Sequence, residues 1–406
     1  MNGAVYDGGE NRLPFCRSIG HTVTMEMVQE PAAHNEALHE AARIACSAAL
    51  KLRKGEQVLI ITNPKPSVEV IARALYSAAL DCGASPVLMF QPVKTQFDFA
   101  EPAVIAAFQA RPQAVISISA EKLGKDRRGI AEPYKHEGIE YDHLFHLLMY
   151  GEKSCRAFWS PGVTPESFIR TVPIDYAGLG RRCAAVSRVL SAAESARITA
   201  PGGTDITVGL RGREAKPDDG DFSQPGRGGN LPAGESFISP ENGTAEGVIV
   251  FDGSISLHKG DIIIREPVRC EVRAGYVTNI SGGNEARALL ETITAAERDA
   301  LEYEKTGRLP KGQGAVYAKN ARNIGELGIG LNPKAQITGG MLEDEKAFRT
   351  CHFAIGHNYD NDAPSLIHLD GLVREPTITA RLADPVSPGK AAPSLVVIER
   401  DGELVV

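Results

Sequence analysis

Apolar positions along the chain fall into two textures. In the first half, short unbroken apolar runs alternate with stretches of helical period. Gln57-Val58-Leu59-Ile60-Ile61-Thr62, Pro86-Val87-Leu88-Met89-Phe90 and Ala114-Val115-Ile116-Ser117-Ile118 have the length and composition of buried strands. Between and before them, helical spacing runs from about His34 to Leu52, from Ser67 to Cys82 and from Pro102 to Gln109, with stops at Lys54-Gly55 and Gly83. Strands that are apolar on both faces and separated by helices belong in a parallel sheet covered on both sides. Another helix is expected after Arg181, reaching about Ala196.

From Arg197 the texture changes. Asp205-Ile206-Thr207-Val208, Gly247-Val248-Ile249-Val250-Phe251, Asp261-Ile262-Ile263-Ile264 and Val268-Arg269-Cys270-Glu271-Val272 read as strands between glycine turns. One helix, about Asn284 to Thr306, interrupts them, and the chain closes with a strand from Ser394 to Glu399 and a turn at Asp401-Gly402. The pattern predicts an α/β N-terminal domain with a mostly parallel sheet at 33–196, then an α+β, β-rich domain at 197–406. Residues 1–32, Gly-rich at first and without a clear period, read as an N-terminal extension, either a tail or a segment packed on a neighbour.

Composition narrows the classes of function. At 406 residues, 43% apolar and 23% charged, the chain has the profile of a globular protein long enough for two domains. A net charge of -7 and a pI near 5.9 argue against nucleic acid as a partner, and the short basic stretch Lys122–Arg128 reads as a solvated loop. Seven scattered cysteines, an odd count with no Cys-x-x-Cys, fit reduced thiols. No apolar run approaches membrane-spanning length and no apolar signal core opens the chain, so the expected location is cytoplasmic, without membrane contact.

The concentrated chemistry lies beyond residue 197. Asn230-Leu231-Pro232-Ala233-Gly234-Glu235, Gly325-Glu326-Leu327-Gly328-Ile329-Gly330 and Cys351-His352-Phe353-Ala354-Ile355-Gly356 set Glu235, Glu326 and His352 among glycines, and His368-Leu369-Asp370 follows. Two carboxylates, two imidazoles and an aspartate are donors of the kind that hold two adjacent divalent cations. His368 and Asp370, two apart, share one face if the segment is a strand. Each residue also has a plainer reading. Glu235 and Glu326 suit exposed loop tips, His352 suits a core histidine bonded to a carbonyl, and Glu343-Asp344-Glu345-Lys346 is acidic enough for a solvated turn. His136, His143 and His146, interleaved with leucines, read as one amphipathic helix rather than a second metal site, and the lone Trp159 as a packing residue.

Taken in order, these segments, with Glu326 to Pro333 and Asp344-Glu345-Lys346, resemble the thermophilic metalloaminopeptidase family, the aminopeptidase T and S type often called leucyl aminopeptidase-like. The resemblance spans roughly residues 40–380, with specific motifs confined to the C-terminal half. It implies a metal-binding catalytic domain with Glu235, Glu326, His352, His368 and Asp370 as ligands to two divalent ions (Zn, Mn or Co). Glu345 is implied as the catalytic carboxylate, with Glu343 in reserve, and Tyr359 as the catalytic tyrosine. The expected activity is a metal-dependent hydrolase that removes N-terminal residues from short peptides or cleaves a small amide, and the expected assembly is a homodimer. Two departures stand out: Ala347 occupies the family's carboxylate spacing, and the loop from His352 to His368 is short. A related branch, the dihydroxypyridine ring-cleaving dioxygenases, uses one Fe(II) held by two His and one Asp. Its members carry a histidine where this chain has Glu326, so that alternative must borrow His352 and ranks second. A non-catalytic small-molecule binding relative is the third reading.

Overall fold

The computed structural model describes residues 32–95, 98–382 and 394–406. The extension expected at 1–32 lies outside them, apart from its last residue. The architecture is the one the apolar pattern predicts: an N-terminal α/β layer with a parallel sheet, followed by a β-rich layer.

The first sheet has five parallel strands, in the order Gly228–Asn230, Arg156–Trp159, Ala114–Ile118, Gln57–Thr62, Ser85–Phe90. Successive side chains of a strand point to opposite faces. Val58 and Ile60 accordingly join a core cluster with Ile71, Leu75 and Phe158, while Leu59 and Ile61 join another with Val104, Phe108 and Met149. Helices Pro66–Asp81, Pro102–Gln109 and Pro165–Thr171 each carry proline in the first turn, where its missing N–H costs nothing.

Beyond Ala193 two antiparallel sheets follow. Eight strands run in the order Tyr276–Ser281, Val268–Arg273, Glu246–Phe251, Asp205–Gly209, Ala193–Thr199, Thr377–Leu382, Leu395–Arg400, Glu403–Leu404. Seven run in the order Gly260–Ile263, Ser254–Leu257, His368–Arg374, Thr350–Gly356, Ile324–Gly330, Glu235–Ile238, Lys216–Asp218. Helix Asn284–Lys305 has the expected bounds to within a residue.

Three local expectations change. The helix after Arg181 spans Tyr176–Ala192, because residues from Ala193 on pair with both Asp205–Gly209 and Thr377–Leu382 and leave the helix early. The first helix, Ala32–Ile44, ends in a π-helical turn at Ala45–Ala49. His136, His143 and His146 do not share a helix: His136 ends strand Tyr134–His136, and His143 is buried and caps the short helix Leu144–His146 by accepting from the Phe145 N–H. The six described cysteines are free thiols. No described helix is long and apolar enough to cross a membrane.

Candidate metal centre

The register of the seven-stranded sheet assembles the candidate ligands. Glu326 pairs with Ala354, and Ala354 with Asp370, so the two carboxylates stand in one row across three strands. His352 lies two residues from Ala354 and His368 two from Asp370, which puts both imidazoles on the same face. Glu235, on the next strand, pairs with Gly330 on one side and Asp218 on the other. The glycines of the motif have a steric reason: a β-carbon at Gly328 would lie 2.0 Å from His352 Nε2, so the ring folds over a position that tolerates no side chain.

All five residues predicted as ligands therefore converge, in two groups that share Glu326: Glu235, Glu326 and His352; and Glu326, His368 and Asp370. In the second group Glu326 Oε2 and Asp370 Oδ1 lie 3.5 and 3.3 Å from His368 Nε2. Both oxygens are buried with no hydrogen-bond partner. His368 Nδ1 donates to the carbonyl of His357 at 2.8 Å, which turns Nε2 toward the two carboxylates. Burial opposes the charged form of each group, but their mutual attraction wins: His368 is raised to about 10 and Asp370 lowered to about 2. Two orphaned carboxylate oxygens beside a pre-oriented imidazole are a donor set that fits a divalent cation.

The first group is built differently. His352 Nε2 hydrogen-bonds Glu326 Oε1 at 3.1 Å and lies 3.2 Å from Glu235 Oε2, whereas His352 Nδ1 is buried and unpartnered. The other oxygen of Glu235 accepts from Lys346 Nζ at 2.5 Å. That ammonium also bonds Glu345 at 2.7 Å and lies 3.4 Å from Asp218, in a side chain only 1% exposed. Burial pushes Glu345 up to about 8 and Asp218 up to about 7. Glu235 is also pressed upward by burial, yet the charges of Lys346 and His352 bring it below the ordinary carboxylate value.

Of the two carboxylates considered for the base, Glu345 reaches this network and Glu343 does not. Glu343 is held by Arg170 at 2.9 and 2.6 Å and accepts from the Gln336 N–H. Tyr359 stands at the rim of the cluster, its ring 5.1 Å from that of His368 and 5.3 Å from that of Phe237. Desolvation, then the charges of Glu326, Asp370, Glu345 and Glu235, keep its phenol protonated. Its loop is clamped by Arg213, which donates to Asp360 and Asp362 at 3.1 and 2.8 Å, and by Lys216, which donates to the Tyr359 carbonyl at 3.1 Å.

Sequence reasoning missed Lys346, Asp218, Phe237 and Arg213 as parts of the site. Only Lys346 carried a local signal, a charged run abutting the apolar Ala347-Phe348.

Comparison with known proteins places this geometry. The profile of the 2,5-dihydroxypyridine 5,6-dioxygenase family (NicX) matches residues 163–354, a segment that includes Glu235, Glu326, Glu345 and His352 but stops before His368. A curated relative, the 2,5-dihydroxypyridine 5,6-dioxygenase of Pseudomonas putida, is 30% identical over 198 residues, 45% of this chain. That match spans about half (49%) of the relative's length. Among solved structures, the 2,5-dihydroxypyridine dioxygenase of P. putida KT2440 superposes with a TM-score of 0.63 at 20% identity, covering 91% of this chain and 97% of that one. Wild-type AmpT from Thermus thermophilus gives 0.59 at 18% identity, covering 91% and 99%.

The resemblance to aminopeptidases thus extends to the fold and stops there. The expected hydrolase, aminopeptidase and protease activity is corrected, because both the family profile and the curated relative name a dioxygenase. Glu345, expected as the catalytic carboxylate, accepts from Lys346 Nζ at 2.7 Å in this structure.

Proposed function

We propose that this chain is a metal-dependent dioxygenase that opens a small hydroxylated aromatic ring, of the dihydroxypyridine type, with molecular oxygen. The observation that carries the reading is the buried group Glu326, His368 and Asp370, with two unpartnered oxygens and an oriented imidazole, in a chain similar to a dioxygenase family. These three residues would hold the cation. The set departs from the two-histidine, one-aspartate arrangement of the dioxygenase branch, since His352 groups with Glu235 and Glu326 and not with His368 and Asp370. Glu326 takes the third place, a donor suited to Fe(II) or Mn(II). When bound, such an ion supplies Lewis-acid and one-electron chemistry; zinc, among the metals expected from the sequence, lacks the second.

The chain's own side chains handle the substrate. Phe237 and Tyr359, ring centroids 5.3 Å apart, form an aromatic wall beside His368 on which a planar ring packs. The protonated Tyr359 phenol donates a hydrogen bond to a ring oxygen, and the clamp of Arg213 on Asp360 and Asp362 keeps it in place. Protein loaded anaerobically with Fe(II) should consume one O2 per molecule of 2,5-dihydroxypyridine while the aromatic absorbance disappears. No oxygen uptake with any hydroxylated pyridine or benzene, under full metal loading, overturns the reading. The protein is also expected to be a homodimer, and light scattering from a 43.4 kDa particle at micromolar concentration would refute that.

A further inference from the structure

We propose that Asn332 is a positioning residue of this centre: its side-chain amide joins the end of helix Pro165–Thr171 to the approach to Glu235, and its backbone N–H fixes the carbonyl of Lys346. The inference rests on the Glu326, His368 and Asp370 reading above and concerns what holds the surroundings of that site in place.

Asn332 follows strand Ile324–Gly330 by two residues and is fully buried. Its amide nitrogen has two hydrogens to donate, and it bonds the Thr171 carbonyl at 3.1 Å and the Ala233 carbonyl at 2.9 Å. Its side-chain oxygen accepts from the Lys334 N–H at 3.0 Å. Thr171 is the last residue of its helix, where a carbonyl has no partner within the helix. An ionised carboxylate of the same shape could accept from Lys334 but donate to neither carbonyl.

Backbone contacts close the same joint. The Asn332 N–H donates to the Lys346 carbonyl at 2.9 Å, and the Leu331 N–H to the Gly234 carbonyl at 2.8 Å. A β-carbon on Gly234 would lie 2.6 Å from that of Asn332, and one on Gly330 would lie 2.0 Å from the Ala347 carbonyl oxygen. Both glycines are thus spacers that let these segments close on one another. The helix end has a second grip. Arg170 holds Glu343 at 2.9 and 2.6 Å, and the Lys346 N–H donates to the Glu343 carbonyl at 3.0 Å.

These contacts decide where Glu235 and Lys346 stand. Ala233 is two residues from Glu235, whose oxygens meet Lys346 Nζ at 2.5 Å and His352 Nε2 at 3.2 Å. His352 Nε2 lies in turn 3.1 Å from Glu326 Oε1. A chain of contacts therefore runs from Asn332 through Glu235 and His352 to a carboxylate that would hold the cation. Partners of a ligating carboxylate tune its hold on the ion. Through Thr171 and Arg170, the N-terminal layer takes part in building a site whose donors all lie in the second sheet.

The test is the affinity of the metal-stripped full-length protein for Mn²⁺, with free ion counted by electron paramagnetic resonance where every variant is folded. Asn332→Asp should weaken binding by about tenfold or more, the range for losing an outer partner of a metal ligand. Phe158→Ala removes a buried ring of the parallel sheet, which lowers stability without moving Glu235, and should bind as wild type. The route is read from a double-variant cycle: in a Glu235→Gln background, Asn332→Asp should add less than about threefold. A folded Asn332→Asp protein that binds Mn²⁺ as tightly as wild type overturns the proposal. So does an equal loss in Phe158→Ala, which would mark the effect as one of stability alone. A loss that multiplies in full with that of Glu235→Gln also overturns it, since Asn332 would then not act through Glu235. If Asn332→Asp fails to fold, Asn332→Ser, which keeps one donated bond, takes its place, and unchanged affinity there is equally decisive. Wild type that binds no Mn²⁺, or tight binding that survives Asp370→Ala, would instead remove the underlying site reading, a separate failure.

Discussion

Strands Ala114–Ile118 and Ile324–Gly330 are both buried along their entire length. The first belongs to the parallel sheet and has Ser117 as its polar member, hydrogen-bonded to Ser119. The second lies in the antiparallel sheet and carries Glu326, whose Oε2 has no partner. Equal burial thus has opposite meanings. Apolar side chains around the first strand stabilise it by leaving water, about 25 cal/mol for each Å². A carboxylate in the second loses hydration and needs a compensating charge. One region carries stability of its own, while the other, on the function proposed above, would gain part of its stability from a bound cation.

The sharpest way to break this contrast is at the ligands. Asp370→Ala or His368→Ala should abolish activity and tight metal binding together, with the parallel sheet intact by circular dichroism. Full metal stoichiometry in either variant would take that residue out of the centre. Next in size, Phe158→Ala empties a fully buried position in the first region and should cost about 3–5 kcal/mol of unfolding free energy. That loss should be the same with and without metal; a loss that depends on metal would mean the regions are energetically one.

The smallest effect is a pH slope confined to the second region. In the metal-free protein Asp218 and Glu345 are raised to about 7 and about 8, so the folded state keeps protons that the unfolded chain releases. Their stabilisation is full below the ordinary carboxylate value, about 4, and is lost as pH climbs through 7 and 8. His368, raised to about 10, adds in the same direction, with stability lost as pH rises above its ordinary value. Asp370, lowered to about 2, acts only toward acid, where stability is lost as pH falls. The melting temperature without metal should therefore fall between about pH 5 and pH 8, and Asp218→Asn should flatten part of that fall. A melting temperature that rises across this window contradicts the assignment.

What the sequence disclosed follows the same division. Runs such as Val58–Ile61 announced buried strands because apolar burial is a local property of the residues themselves. Glu235, Glu326, His352, His368 and Asp370 stood out through their glycine frames, and Gly328 shows why those frames exist. The charged run Glu343–Lys346 misled, because it reads as a solvated turn yet Glu343, Asp344 and Lys346 are buried. Their partners are remote: Arg170 is 173 positions from Glu343, and Glu235 is 111 from Lys346. No local pattern records such pairings. The activity was misread for a related reason. One scaffold serves both the aminopeptidase and the dioxygenase among its structural relatives, and the motif residues specify a cation site before they specify a reaction.

The strand Gly228–Asn230 bears on how this molecule can be cut and recombined. It lies against Arg156–Trp159 as the outermost member of the parallel sheet, yet it comes from well past residue 197. Ser160 Oγ donates to the Leu231 carbonyl just after it, and four residues further on the chain is at Glu235. A fragment beginning at residue 197 would leave the first half short of a strand and set the approach to Glu235 loose at one end. The two halves are therefore not interchangeable modules. Shuffling with a homologue should succeed only where the crossover carries Arg156–Trp159 and Gly228–Asn230 from the same parent.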